Sequence, residues 1–220
     1  MRESFKKHIK GLNEDVVAMS EMVAAATIQS VKALEERDVK KAEQIAKDDL
    51  LINEKRWKIE EECINLIALQ QPVASDLREI IAVLNVITEL ERMGDYAEGI
   101  AKIVVMLGDE PLIRPLIFMP KMAEKATNML RRSMQAFIAR NAKAATAICN
   151  EDDDIDKLYD EAYHDLLMRM IKDPEVISKA TPLIWATHNL ERIADRVTNI
   201  CERTVFLATG TMPQVNVSKY

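Results

Sequence analysis

The hydrophobic residues of this 220-residue chain recur at spacings of three and four along most of its length. That spacing is the period of one face of an α-helix. The pattern is clearest in residues 86–104 and 186–200, where it forms the a/d seam of a helix that packs on other helices. The seam positions are Val86, Leu90, Met93, Ala97, Ile100 and Val104 in the first segment, and Ala186, Leu190, Ile193, Val197 and Ile200 in the second.

The two segments contain copies of one element, residues 90–102 and 190–202, which lie 100 positions apart. Leu, Glu, Arg, Asp and Ile recur at identical places in the two copies, whereas average residue usage would give about one match. Each copy places a Glu and an Asp one turn apart on the same side of the helix. An acidic edge, Glu91 with Asp95 and Glu191 with Asp195, therefore runs beside the core-facing edge in both copies.

Other parts of the chain repeat on the same plan, at an offset of 103 positions before the third helix of each copy. Apolar periodicity and capping residues predict six helices. The first helix spans residues 4–36, and the second is capped by Asp38 and ends before residues 70–72. The third spans 73–107 and the fourth 120–140. The fifth is capped by Asn141, and the sixth begins at residues 173–175, with Asp173 as its cap, and ends before Gly210.

These repeats predict an all-α fold of two tandem, sequence-related three-helix bundles, with six long helices and a pseudo-twofold relation. The chain is rich in proline only between residues 108 and 120, which marks the boundary. We expect the first repeat at 1–108, the second at 115–210 and a C-terminal tail at 211–220.

Composition supports the helical prediction and narrows the function. The chain has only five glycines and seven prolines, and aromatic residues make up 5% of it. Few aromatics argue against a β-sandwich and against a stacking surface for single-stranded nucleic acid. The net charge of −6 disfavours non-specific nucleic-acid binding. The scattered glycines provide no phosphate-binding loop.

The same reading predicts a cytoplasmic protein. No apolar run approaches the roughly 18 residues of a membrane-spanning helix. The N-terminal residues carry positive charge without the apolar segment that a signal peptide needs. Cys63, Cys149 and Cys201 lack metal-type spacing, so we expect small buried hydrophobic side chains of a reduced protein.

A second repeated pair suggests what the acidic edges do. Asp49 and Asn53 lie four positions apart on the second predicted helix, as do Asp152 and Asp156 on the fifth. Oxygen ligands brought together by bundle packing suit a divalent cation, since clustered carboxylates repel one another unless a cation neutralises them. The alternative is a set of solvated surface charges worth about 0–1 kcal/mol each. The predicted metal ligands are Asp49, Asn53, Glu91, Asp95 and Glu98 in the first repeat, and Asp152, Asp156, His188, Glu191, Asp195 and Asn199 in the second.

The two predicted sites are unequal. The first copy has Glu98 and Gly99 where the second has Thr198 and Asn199, and a glycine has no side chain to coordinate. The second copy also has His188, whose imidazole favours zinc or iron, although a helical histidine is also common as a packing or surface residue. We therefore expect the second site to be the better equipped.

The duplicated Leu-Glu-Arg-x-x-Asp signature, together with residues 72–78, resembles the PhoU family of phosphate-transport accessory and regulatory proteins over residues 5–210. The resemblance implies a cytoplasmic, usually homodimeric, non-enzymatic regulator that restrains high-affinity phosphate uptake. It implies contact with the ATPase subunit of a phosphate ABC transporter and with the sensor histidine kinase of a phosphate-responsive two-component system, so that membrane association is only through partners. It also implies that the Glu-x-x-x-Asp motifs bind iron, zinc, manganese or magnesium.

Two alternatives belong to other classes. A ferritin-like di-metal protein also uses carboxylates on helices, but it needs two Glu-x-x-His motifs, and only Glu161 with His164 fits. The other alternative is a helical scaffold that binds no metal.

Overall fold

The computed structural model describes residues 2–108, 111–113 and 116–211, and this part of the chain is helical almost throughout, without strands. The all-α prediction is confirmed. A short 3₁₀ turn, Pro174–Val176, leads into the last helix. The helices are α1 (Arg2–Glu36), α2 (Val39–Gln70), α3 (Ser75–Leu107), α4 (Phe118–Ile138), α5 (Ala142–Cys149), α6 (Asp152–Lys172) and α7 (Ile177–Thr209).

The helices form two three-helix repeats that pack side by side. In the first, α1, α2 and α3 contact one another, and in the second, α4 and α7 pack with the pair α5 and α6. The repeats join where α3 lies on α7 and α1 lies on α4. Arg196 Nη2 donates to the Tyr96 hydroxyl at 3.5 Å, and these residues hold the same place in the two copies. Equivalent residues meet in this way near a twofold axis, so the α3–α7 contact contains the pseudo-twofold axis.

Both predicted seams are buried. Leu90, Met93, Leu190 and Ile193 have no exposed surface, and the other seam positions are also in the core. Burial of apolar surface contributes about 25 cal/mol per Å² to folding. These two seams therefore account for much of the contact that holds each repeat together.

The cysteines occupy the environment that the sequence predicts. Cys63 and Cys201 are buried, and Cys149 is half-buried. Burial raises the pKa of the Cys63 and Cys201 thiols to about 12 and that of Cys149 to about 11. The three thiols are therefore protonated at neutral pH and pack as small apolar groups.

Helix capping repeats along with the seams. Asp38 accepts a hydrogen bond from the Lys41 amide at 2.9 Å, and Asn141 accepts one from the Ala144 amide at 3.0 Å. Each side chain thereby satisfies an amide group that the helix leaves unpaired. Both predicted caps are confirmed, and the Asp173 cap is confirmed by its bond to the Glu175 amide at 3.2 Å.

The fifth helix departs from the prediction because it is broken in two. Helix α5 ends at Cys149, and the Glu151 amide donates to the Ile148 carbonyl at 3.0 Å, three residues back, which tightens the turn. The three aspartates that follow, residues 152–154, suit the first turn of a new helix because its amide end is positively polarised. The break places Asp152 at the start of α6.

We expect Leu90→Ala and Leu190→Ala each to lower the free energy of unfolding by about 3 kcal/mol, since each leaves a cavity in a close-packed seam. Leu69→Ala is the matched control because Leu69 is 78% exposed on α2, and it should change stability by less than about 0.5 kcal/mol. Urea unfolding followed by circular dichroism measures all three. Equal effects at buried and exposed positions would contradict the assigned seams.

Candidate functional site: two acidic patches

The first acidic patch comprises Asp49 and Asn53 on α2 and Glu91, Asp95 and Glu98 on α3. The Asn53 amide nitrogen donates to Asp49 Oδ2 at 2.8 Å. Burial, together with the charges of Asp95 and Glu98, raises the pKa of Asp49 to about 6. The structure therefore brings the predicted residues of the two helices into one electrostatic group.

A glycine lets Asp49 lie close to α3. A Cβ atom at Gly94 would lie 3.0 Å from Asp49 Oδ1, tighter than almost all real contacts, and would also crowd Ile52. The second copy has Ala194 at this place. Asp49 Oδ1 is buried and has no hydrogen-bond partner among the residues that the structure describes.

The outer residues of the first patch are partly neutralised from within α3. Burial and the neighbouring charge of Glu91 raise the pKa of Asp95. Glu98 pairs with Lys102 at 2.6 Å, one turn further along the helix. Lys102 is well exposed, so this pair leaves Glu98 free to exchange partners at little energetic cost.

The second acidic patch comprises Asp152 and Asp156 on α6 and His188, Glu191 and Asp195 on α7. Burial, together with the charges of Asp156 and Asp195, raises the pKa of Asp152 to about 7. Burial and the Asp195 charge also raise the pKa of Glu191 to about 7. The pKa of Asp156 is raised by burial and by the Asp195 charge. Two or more of these carboxyl groups therefore share protons near neutral pH.

Arg192 and His188 line the exposed side of this patch. Arg192 Nη1 pairs with Asp195 at 3.0 Å, and its Nε donates to His188 Nε2 at 3.4 Å. His188 Nδ1 lies 3.5 Å from Glu191 Oε2. Burial and the Arg192 charge lower the pKa of His188, which favours the neutral imidazole that metals bind.

Asn199 bonds to a residue of the other repeat. Its amide nitrogen donates to Glu89 Oε2 at 3.1 Å, across the contact between α7 and α3. Arg196 Nη1 reaches the same carboxylate oxygen at 3.4 Å. Asn199 thus helps to join the two repeats, and its metal role stays a prediction. Glu89 was not predicted to matter, because its partners come from the other copy of the repeat.

Comparison with known proteins places this arrangement in a family. The PhoU domain model matches twice, at residues 16–104 and 119–204. The chain belongs to the PhoU family. The two matched segments coincide with the two repeats, so each PhoU domain carries one acidic patch.

Relatives in the PhoU family match over nearly their whole length. A Clostridium acetobutylicum protein named phosphate-specific transport system accessory protein PhoU homolog is 36% identical over 98% of this chain and 99% of its own. The crystal structure of PhoU from Pseudomonas aeruginosa has a TM-score of 0.88 at 32% identity, covering 94% of this chain and 100% of that one. The phosphate transport system regulatory protein PhoU of Streptococcus pneumoniae has the same TM-score and identity, and covers 96% of this chain and 100% of that one.

The donor atoms of the patches fit a divalent cation. Within the described ranges, one buried carboxylate oxygen each of Asp49, Asp152 and Glu191 has no hydrogen-bond partner, and such an arrangement costs free energy unless something binds the oxygen. Carboxylate oxygens and a neutral imidazole are the ligands that manganese, iron and zinc take. In the part of the chain that the structure describes, no three such side chains are already gathered around one point.

The raised pKa of Asp152 predicts a pH-dependent stability. Between about pH 4 and pH 7, Asp152 keeps its proton in the folded chain but has lost it in the unfolded chain. The free energy of unfolding therefore falls as the pH rises through this window. Asp152→Asn removes the titration. We expect the variant to be about 1 kcal/mol more stable than the parent at pH 8, after allowance for solvent screening.

The comparison requires urea unfolding of parent and variant, without added metal, at several values between pH 5 and pH 8. The advantage of Asp152→Asn should shrink as the pH falls. The control is Glu161→Gln, which changes an exposed carboxylate on the same helix. A difference that is independent of pH would contradict the raised pKa.

Proposed function

We propose that this chain is a regulatory accessory protein of a phosphate transport system. Its membership of the PhoU family over both repeats carries the proposal, because relatives of nearly equal length are named as accessory or regulatory proteins of phosphate transport. In this role the chain restrains phosphate uptake when phosphate is plentiful. It does so as a homodimer that contacts the transporter's ATPase subunit and the sensor histidine kinase of the phosphate-responsive system.

A cytoplasmic, non-enzymatic role is part of this proposal. The relatives' names describe accessories and regulators rather than catalysts. No helix in the described ranges is long and apolar enough to cross a bilayer. Contact with the membrane then runs through the transporter and the kinase.

The acidic patches are the proposed metal sites of this regulator. In the second repeat, Asp152, Glu191 and Asp195 would hold the ion, with His188 at the exposed edge. In the first, Asp49, Glu91, Asp95 and Glu98 would do so. A bound divalent cation would supply positive charge to buried oxygens that lack donors, and would thereby join α6 to α7 and α2 to α3. The second patch is the stronger candidate because it adds the His188 imidazole, 3.5 Å from Glu191 Oε2, to the carboxylates of Asp152, Glu191 and Asp195.

The ferritin-like alternative receives no support from the positions of its residues. Glu161 and His164 are both exposed on α6, whereas a di-metal centre of that kind uses Glu-x-x-His motifs that project into the bundle.

Metal binding is tested by calorimetric titration of chelator-treated protein with Mn²⁺, Fe²⁺ and Zn²⁺ at pH 7.5. We expect Glu191→Gln to weaken the second site by about tenfold or more, equivalent to about 1.4 kcal/mol. Glu91→Gln should affect only the first site, and Glu161→Gln neither. Because an ion that binds only the folded chain stabilises it, the thermal midpoint should rise with metal and rise less in Glu191→Gln. The absence of both heat and stabilisation would support the metal-free scaffold.

The regulatory role is tested with tagged full-length chain expressed in cells grown with plentiful or limiting phosphate. We expect affinity purification from phosphate-replete cells to recover the transporter ATPase and the sensor kinase, and deletion of the chain to raise phosphate uptake. Sedimentation of the purified chain should show a dimer. Unchanged phosphate uptake after deletion, with neither partner recovered, would contradict the proposed regulation. This outcome does not depend on the result of the metal titration.

A further inference from the structure

The first repeat contains a cavity of about 190 Å³. It opens between α1 and α2 and reaches Gly94 and Glu98 on α3. Its walls combine apolar surface from Met22, Ala25 and Leu51 with polar groups from Gln29 and Asp48. A cavity with both kinds of wall suits a ligand that has an apolar stem and a polar end.

The second repeat has a charged pair at two positions that correspond to lining residues of this cavity. Counting 103 positions on, Gln29 becomes Arg132 and Asp48 becomes Glu151. Arg132 donates from Nη1 to Glu151 at 2.7 Å and from Nη2 at 2.6 Å, a two-bonded guanidinium–carboxylate pair. Such forked pairs are among the stronger and more selective charged contacts in proteins.

Three further wall positions differ in the second repeat. Met22 and Leu51 correspond to Lys125 and Asp154, which pair at 3.0 Å. Ala26, another wall residue of the cavity, corresponds to Met129, which is buried. The first repeat therefore keeps a carboxylate at Asp48 but has no counterpart of the arginine, the lysine or the methionine of the second.

We propose that the cavity of the first repeat binds an arginine side chain of a partner protein, in the place that Arg132 fills in the second repeat. The Asp48 carboxylate would accept from the guanidinium, and Gln44 already orients that carboxylate by donating to its Oδ1 at 2.7 Å. Met22 and Leu51, the latter half exposed, would cover the arginine's methylene stem.

Charge and size both favour this occupant. Asp49 and Glu98 add negative charge to the lining, whereas no Lys, Arg or His contributes to it. The volume is below the roughly 300–1,000 Å³ of typical small-molecule sites, so it suits one long side chain better than a whole metabolite. Glu91 and Asp95 lie outside the lining. Asp49 and Glu98 do belong to the first acidic patch, so a metal bound there would remove part of this charge, and the proposal is made for the metal-free chain. It does not depend on which partners the chain regulates.

Binding is tested by NMR on full-length protein with ¹³C-labelled methionine methyl groups, the Met22 signal being assigned with Met22→Leu. The probe is N-acetyl-arginine N-methylamide, added with EDTA present so that no divalent cation competes. We expect a saturable shift of the Met22 signal with a dissociation constant in the millimolar range, about ten times weaker for the uncharged citrulline analogue.

Variants locate the site. Asp48→Asn should weaken the arginine probe about tenfold. Gln29→Arg should abolish its binding, because the chain then supplies its own guanidinium as the second repeat does. Glu61→Gln, an exposed carboxylate elsewhere on α2, should bind as the parent does. No saturable shift at Met22, or a shift that survives both Asp48→Asn and Gln29→Arg, would overturn the proposal.

The source of the arginine is tested by photo-crosslinking from position 51, with benzoylphenylalanine in place of Leu51 in cells. The proposal is supported if a partner peptide that contains an arginine becomes crosslinked. The crosslink should be lost when that arginine is replaced by alanine, and also in the Gln29→Arg variant of this chain. Saturable binding of free spermidine or arginine to the parent, with no such conjugate, would overturn the assignment to a protein in favour of a soluble cation.

Discussion

The packing of α3 against α7 is the contact on which the rest of this molecule depends. Each helix buries its apolar seam in its own repeat, and the two helices then lie against each other across the pseudo-twofold axis, where Arg196 meets Tyr96. The same two helices carry Glu91 with Asp95 and Glu191 with Asp195. Because the acidic edge lies one residue round from the seam, packing that buries the seam also buries Glu191 and partly buries Glu91 and Asp195, whereas Asp95 stays exposed. The position of the patches is therefore fixed by the core.

This coupling has an energetic consequence. Carboxylates withdrawn from water with few donors are destabilised in their charged form, which is why the pKa values of Asp152 and Glu191 lie near 7. Stability alone would favour apolar or ion-paired side chains at the positions of Asp152 and Glu191. A ligand that supplies positive charge would remove this penalty, which is the physical basis of the metal sites proposed above.

Much of this structure follows from local sequence rules. Leu90 and Leu190 reveal the seams through their spacing, and Asp38 and Asn141 reveal the helix starts because a cap acts within three residues. The acidic patches were also predictable, since they combine helical spacing with a repeat offset. The break at residues 150–151 was not predicted, because periodicity continues through it while a tighter turn forms. Asn199 could not be placed either, because its partner Glu89 belongs to the other repeat and depends on how the repeats pack.

The two repeats also show how one scaffold separates two kinds of surface. In the second repeat, Arg132 with Glu151 and Lys125 with Asp154 join α4 to the start of α6, next to the break in the fifth helix. In the first repeat α2 is continuous, and Gln29, Met22 and Leu51 stand at the places of Arg132, Lys125 and Asp154. These three residues line the cavity of the first repeat. The same scaffold therefore carries ion pairs beside one acidic patch and a cavity with uncharged side chains at the same positions beside the other.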